Sequence, residues 1–595
     1  VTSPTDRAQR ALLWLAALAV AFAAADTYVV VLALPDMMAS AGVPLDQLQR
    51  AAPIVSGFLL GYVAVLPLIG RIADLRGRVP VLLLSLGLFA LGSLVTTLAY
   101  DMPSMVAGRF LQGVGGGGLV PATLALVADL YPEERRGVPL GIVSAVQEIG
   151  SVLGPLLGAV VLALADWRAI FAVNVAVGLV LAAAVRRLAT RSPELLDDRS
   201  RALLGAPPGG RPDLLGAGLA VVVLLAGSLT FLRPPPLLRD LAWGELFVPF
   251  VTGSRWLTPT GAVTVVALAL LLVRLLLAER PLVDLRSWGR VLREADLVGA
   301  LLLAATLGGV VLAFATADPK VEVFSPQGTW YLVGSGVSLA ALLAHLRRTP
   351  DPIIPHEALR RTPAWGALVV SFLVGSALIA ALIDVPLFAR TTIHGDSQLM
   401  AALVLVRFLV ALPVGAVAGG YLTPRWGSGP TTALGMVLAA ASFAWMSTWG
   451  IDALEHWHAT VPLVVGGLGF GLALAPVNAA VLAFTDHAVH GLASAMVVVA
   501  RMVGMLVGIS ALTTLGLRRY YAEQADVPPV REVCGGPSRC PELTLLLKEA
   551  GIAQEQTVFA GAGVCALLAA LLALALFRAA GPARVAAPGP LGSSA

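Results

Sequence analysis

The sequence predicts an all-α polytopic membrane protein, and three observations carry that prediction. Of the 595 residues, 58% are hydrophobic and only 13% are charged, against roughly a quarter charged in soluble domains. Apolar runs recur from Ala11 to Phe577, many of them reaching the ~20 residues that a span requires. The breaks between these runs are short, and their Lys/Arg content alternates along the chain. The net charge of +4 is distributed over those breaks, which argues against a nucleic acid partner.

Six spans come first, at 11–35, 51–70, 80–100, 103–128, 138–164 and 167–188. The first imitates a secretory signal, with AAA at 23–25, but its apolar run continues past Asp26 to Leu34 and is read as a span. A basic Pro/Gly-rich stretch follows from Arg191 to Arg211. Four candidates then lie at 213–232, 260–279, 296–317 and 330–346, and six more at 364–388, 397–421, 430–449, 461–484, 488–517 and 556–578. This makes sixteen helices, with fourteen the alternative if the central segments do not all cross. The domains are an N-terminal six-helix bundle (1–190), a linker with extra helices (191–361) and a C-terminal six-helix bundle (362–579). The last includes an outer loop at 518–555, and a disordered tail (580–595) follows it.

Positive charge sets the orientation. With the N-terminus inside, the inner loops hold Arg71, Arg76 and Arg78, then Arg135 and Arg136, then Arg186, Arg187 and Arg191. Later ones hold Arg290, Arg293, Arg347, Arg348, Arg360 and Arg361. An even helix count returns the C-terminus to the cytoplasm, beside Arg578 and Arg584. The central spans read as a duplicated pair, because DLLGAGLAVVVLLAGSLTF from Asp213 resembles DLVGALLLAATLGGVVLAF from Asp296. The segment 245–258, aromatic and β-branched around TGS, predicts a small hairpin.

Parity places Cys534 and Cys540 outside, where disulfides persist, so these two are expected to pair; metal binding is the alternative. Cys565 falls in the last span and is expected to pack there. PEL at Pro541 and the leucines after it predict that the last helix begins ahead of the bilayer and projects outward. Such a projection would guide an apolar molecule or dock a carrier; a plain disulfide-closed cap is the alternative.

Motifs then point to a family. GRIADLRGRVP, with Gly70, Asp74, Gly77 and Arg78, resembles the G-x-x-x-D-x-x-G-R signature loop of the major facilitator superfamily. RFLQG from Arg109 resembles its R-x-x-Q-G element. GSVLGPLLGA, with Gly150, Gly154, Pro155 and Gly158, resembles the antiporter element, although Ala159 replaces its last glycine. DTYVVVLALP and WRAIFAVNVAVG resemble elements of drug–proton antiporters with extra central helices. Gly420, Arg425 and Gly427 form a degraded second signature loop that lacks its Asp. QEIGSVLGP around Glu148 and VVVARMVGM around Arg501 resemble mycobacterial lipid and drug exporters that work with a periplasmic lipoprotein. The resemblance implies a major facilitator fold of two six-helix bundles in a bacterial inner membrane, export of triacylglycerides, and such a lipoprotein as partner. Those relatives have fourteen helices, so the extra pair is a departure.

Ionisable residues inside spans are costly and mark function. Asp26 and Arg109 lie at matching depths, roughly 20 Å from the inner start of helix one and roughly 9 Å below the outer start of helix four. They are expected to pair and carry proton coupling, with protonation of Asp26 releasing Arg109. Glu148 and Arg501 are expected to bridge the two halves and gate access. Arg407 is read as either a site or a snorkelling residue, and Asp384 as interfacial. Asp74 is expected to hold the cytoplasmic side together, and Gly150, Gly154 and Gly158 to permit close packing. Interior polar groups are few (Gln112, Gln147, Asn174, Asn478), which favours an apolar substrate, because buried polar groups of a ligand need partners.

The sequence holds no nucleophile elbow, H-E-x-x-H or phosphate-binding loop, and its histidines form no metal-like cluster. It therefore reads as a proton-coupled exporter of hydrophobic molecules such as triacylglycerides, without enzymatic activity, cofactor or metal. It is expected to act as a monomer. A multidrug–proton antiporter and a non-transporting membrane receptor are the alternatives.

Overall fold

The computed structural model describes residues 4–42, 52–132, 135–196, 200–201, 213–233, 235–240, 243–250, 254–278, 282, 284–315, 327–350, 352–354, 360–393, 398–528, 530–534 and 540–578. The expected tail at 580–595 and most of 191–211 lie outside them.

The N-terminal bundle comprises α1 (Pro4–Ser40), α2 (Ala52–Arg76), α3 (Arg78–Leu98), α4 (Met102–Leu130), α5 (Gly137–Leu164) and α6 (Arg168–Arg191). The linker carries α7 (Leu214–Leu232), α8 (Pro259–Leu277), α9 (Leu285–Glu294), α10 (Leu297–Ala315) and α11 (Gly328–Arg348). The C-terminal bundle comprises α12 (Thr362–Thr391), α13 (Gln398–Trp426), α14 (Ser428–Met446), α15 (Thr460–Ala483), α16 (His490–Ala525) and α17 (Pro541–Leu576). Fourteen of the described helices are long and apolar enough to cross a membrane. Helices α5 and α10 occupy the other two expected spans, so each of the sixteen predicted segments coincides with a helix.

The bundles repeat one packing scheme. Helix α1 packs on α5, α2 on α4 and α3 on α4; likewise α12 packs on α16, α13 on α15 and α14 on α15. Glycines allow the closest of these approaches. A Cβ on Gly150 or Gly154 would stand 2.2 or 2.4 Å from the Ala21 or Ala25 carbonyl oxygen of α1, and one on Gly504 of α16 would stand 2.0 Å from Phe372 O of α12. Backbones that meet this closely gain dispersion contact that larger residues would prevent. Gly158 is also buried, and Pro155 lies in the same helix.

The two central pairs are built alike. Asp213 caps α7 by accepting from Gly216 N at 2.9 Å, and Asp296 caps α10 by accepting from Gly299 N at 2.9 Å. Each cap also reaches a base near the end of the following helix: Arg274 of α8 at 3.1 Å and His345 of α11 at 2.8 Å. Their placements differ. The α7–α8 pair rests on the α3 end through Tyr100, whose ring meets Phe231 at 5.5 Å and the Arg255 guanidinium at 3.7 Å. Helix α10 instead runs along α2 and touches α16. At its start, α9 bends away by 73° and bonds back to α2, with Arg76 donating to Ser287 and lying 5.2 Å from the Trp288 ring.

Two expectations are corrected. Residues 245–258 form no hairpin among the described residues. Short 3₁₀ turns at Gly244–Phe247 and Arg255–Leu257 are joined by one backbone bond, Phe250 N to Leu257 O at 2.8 Å. The Ser254 and Thr258 hydroxyl oxygens accept from the Trp256 and Gly261 amides, so side-chain caps replace the ladder; 251–253 lie outside the described residues. The outer loop expected at 518–555 is mostly helix. Helix α16 continues to Ala525, a short helix spans Val530–Cys534, and α17 begins at Pro541. Cys534 and Cys540 are joined by a disulfide, as expected.

Candidate functional site

The most buried charges sit inside the N-terminal bundle. Arg109 of α4 donates to Asp26 Oδ2 of α1 at 2.5 Å and to Gln112 Oε1 at 2.6 Å. Asn174 of α6 donates to Asp26 Oδ1 at 2.5 Å, and Gln112 passes the network to Ser93 of α3 at 2.9 Å. Phe58 lies 4.4 Å from the Arg109 guanidinium, and Phe171 lies 5.7 Å from it. Asp26 and Arg109 are each 1% exposed, so removing either partner would strand a buried charge at a cost of about 3–5 kcal/mol.

A second feature lies between the bundles. Residues of α1, α2, α4 and α5 face residues of α12, α13 and α16 across a cavity of ≈ 260 Å³. Its walls are largely apolar, with Phe58, Leu59, Leu378, Leu382, Met502 and Met505 among them. Its polar edge is formed by Tyr62, Gln147, Glu148, Ser151 and Arg501. Glu148 and Arg501 thus face the same space from opposite bundles. The expected bridge is not closed: no ion pair within 4.0 Å joins them, because the cavity itself separates α5 from α16 at this level.

One end of the molecule is shut. Asp74 of α2 accepts from Gly491 N at 2.8 Å and Leu492 N at 3.0 Å, the first amides of α16. A carboxylate is well placed there, facing unpaired N–H groups and the positive end of the helix dipole. Arg78 binds Asp74 at 3.0 Å and Asp129 at 3.4 Å, and donates to His487 O at 3.1 Å. His487 adds a contact to Asp129 at 3.1 Å. Across the other seam, α5 meets α13, and a Cβ on Gly137 would stand 2.5 Å from Gly420 O.

A family model described as Major Facilitator Superfamily matches residues 16–509. The chain belongs to the major facilitator superfamily. A triacylglyceride transporter of Mycobacteroides abscessus is 34% identical over 514 residues, covering 85% of this chain and 82% of that protein. One of Mycobacterium tuberculosis H37Rv is 34% identical over 531 residues, covering 86% and 84%. Among solved structures, the human organic anion transporter TETRAN superposes with a TM-score of 0.53 at 13% identity, covering 96% of this chain and all of that one. A proton:xylose symporter superposes with 0.50 at 14%, covering 95% of each. These two share the fold.

The chain is thus a multi-pass membrane transporter. Within this transporter, Arg407 lies on an exposed face of α13 and donates to Thr460 at 2.9 Å, away from the cavity. Asp384 is buried within the C-terminal bundle. It is 4% exposed, and Glu555 of α17, a helix packed against α12, is itself 2% exposed. Glu555 escaped the sequence reading because it lies in a segment read as an outer extension. Helix α17 packs against α12 and α14 through it, so this turn is interior. Tyr62, Asp129 and His487 were also missed: each stands outside any motif, and only the tertiary fold brings them to the cavity or the shut end. Cys565 is partly buried in α17.

Proposed function

We propose that this major facilitator transporter exports neutral lipids of the triacylglyceride class in exchange for protons, by alternating access, from a bacterial inner membrane with both termini cytoplasmic. The observation that carries the reading is the apolar cavity between the bundles, bordered by an acid from one half and a base from the other. A sugar or peptide would bring many polar groups that these walls leave unpaired. The names of the mycobacterial relatives support the same substrate class.

The shut end bears Arg71, Arg76 and Arg78, which the positive-inside rule assigns to the cytoplasm. On that basis the conformation is outward-facing, and Glu148 and Arg501 pair when the outer ends approach in the opposite state. Proton coupling rests on Asp26. Protonating it cancels its charge, loosens Arg109 and removes an anchor of α1 against α4 and α6. The projecting end of α17, tied through Cys534–Cys540, delivers lipid outward or receives a periplasmic carrier.

Replacing Asp26→Asn in proteoliposomes loaded with a fluorescent triacylglyceride is expected to abolish export driven by an imposed pH gradient at normal protein abundance. Undiminished gradient-driven export from that variant would sink the coupling role.

A further inference from the structure

Two polar side chains on the cavity edge have no part in the mechanism above. Ser151 is satisfied, since its hydroxyl donates to the Gln147 carbonyl at 3.3 Å. Glu148 and Arg501 belong to the gate. Tyr62 of α2 and Gln147 of α5 remain. Tyr62 is 6% exposed, borders the cavity, and lies within electrostatic reach of both Glu148 and Arg501. Among the described residues, neither the Tyr62 hydroxyl nor the Gln147 side-chain amide has a hydrogen-bonding protein partner.

A phenol and an amide facing an apolar space are poorly satisfied, and a ligand acceptor placed between them would relieve that penalty. The ligand must therefore combine hydrocarbon, for the walls, with acceptors at one spot. A carboxylate head would meet Glu148 as well as Arg501, so a neutral acceptor fits better. The volume agrees: ≈ 260 Å³ falls below the roughly 300–1,000 Å³ of sites that enclose whole ligands. The cavity therefore accommodates a compact head, while acyl chains extend between helices.

We propose that Tyr62 and Gln147 donate hydrogen bonds to ester carbonyl oxygens of a neutral glyceride, so that the cavity recognises the ester head and not merely hydrocarbon. This assignment rests on the lipid-export reading and names the groups that give it chemical selectivity. Both are binding residues of the N-terminal half, one on α2 and one on α5.

The test is competition for tritiated triolein on the purified full-length transporter, with unlabelled triolein or squalane, a hydrocarbon without ester groups, as competitor. In the native protein triolein is expected to compete at least about tenfold better than squalane. Tyr62→Phe and Gln147→Met, both close in shape to the native residues, should each reduce that preference roughly three- to tenfold, the loss of one neutral hydrogen bond. Squalane competition should stay unchanged, which a general collapse of the cavity would not allow. An unaltered preference in both variants overturns the assignment. Equal competition by triolein and squalane in the native protein overturns it while leaving lipid export intact. Failure of the native protein to bind triolein at all overturns both readings together.

Discussion

The two signature loops invite comparison, because the fold repeats while the sequence does not. Between α2 and α3 the chain turns on a single residue, Gly77, with φ 92° and ψ 152°; between α13 and α14 it turns on Gly427, with φ 86° and ψ 165°. That region of backbone space is almost closed to residues with a Cβ. The surroundings differ. Around Gly77, Asp74 and Arg78 are buried and bind the start of α16. Around Gly427, no acid takes the place of Asp74, and Arg425 is exposed. The turn is thus a demand of geometry that both halves share, whereas the charge is a demand of the seal. One seam, α2 to α16, closes on a carboxylate and helix amides. The other, α5 to α13, closes on packed backbone at Gly137 and Gly420, with the Pro424 ring beside them.

Asp74→Asn should produce the largest effect. It removes a fully buried negative charge from Arg78 and from the α16 amides, a loss of about 3–5 kcal/mol for a broken buried pair. Pulsed spin-label distances between the α2 and α16 ends at the shut side should lengthen; unchanged distances would make the charge dispensable to the seal. Next come Gly77→Ala and Gly427→Ala. Each should lower stability by ~1–3 kcal/mol through backbone strain alone, and by similar amounts, as read by thermal unfolding in detergent. A silent Gly427→Ala would break the claim that the turns are equivalent. The smallest effect belongs to Arg425→Gln, which should change stability by less than about 0.5 kcal/mol and leave transport at the native rate. A loss approaching that of Asp74→Asn would show that the second loop carries a charge clamp after all.

Much of this architecture was readable from the chain. The spans were legible because a bilayer demands long apolar runs, and no other pattern in the sequence competes with them. Asp26 and Arg109 were legible as neighbours because helical rise converts position into depth. Helix ends were less so: α16 continues well past its apolar core to Ala525, since Arg518, Arg519 and Glu523 extend a helix in water, whereas the start of α17 at Pro541 was readable from PEL. Partner choice was least legible. Asp384 and Glu555 lie on helices whose rotation about their own axes the sequence does not specify, so Asp384 read as interfacial and the buried Glu555 was not singled out. The Glu148–Arg501 pair shows a further limit. Facing positions were recoverable, but whether the two side chains touch was not, because a cavity separates the helices that carry them.

The glycines at the shut end have a consequence of their own. A Cβ on Gly491 would stand 2.4 Å from Gly70 O, and one on Gly420 would stand 2.5 Å from Gly137 O. In this state there is no space there for even a methyl group. In the alternating-access cycle proposed above, parting of these ends would leave the same positions facing open space, where side chains would be tolerated. The two states of the proposed cycle would therefore accept different alphabets at these four residues. A lone methyl at Gly137 or Gly420 would act as a wedge against backbone and Pro424, whereas one at Gly491 would also press on the Asp74 carboxylate, 2.9 Å away. Tolerance to alanine at Gly70, Gly137, Gly420 and Gly491 is in this sense a gauge of how long the transporter dwells with that end closed.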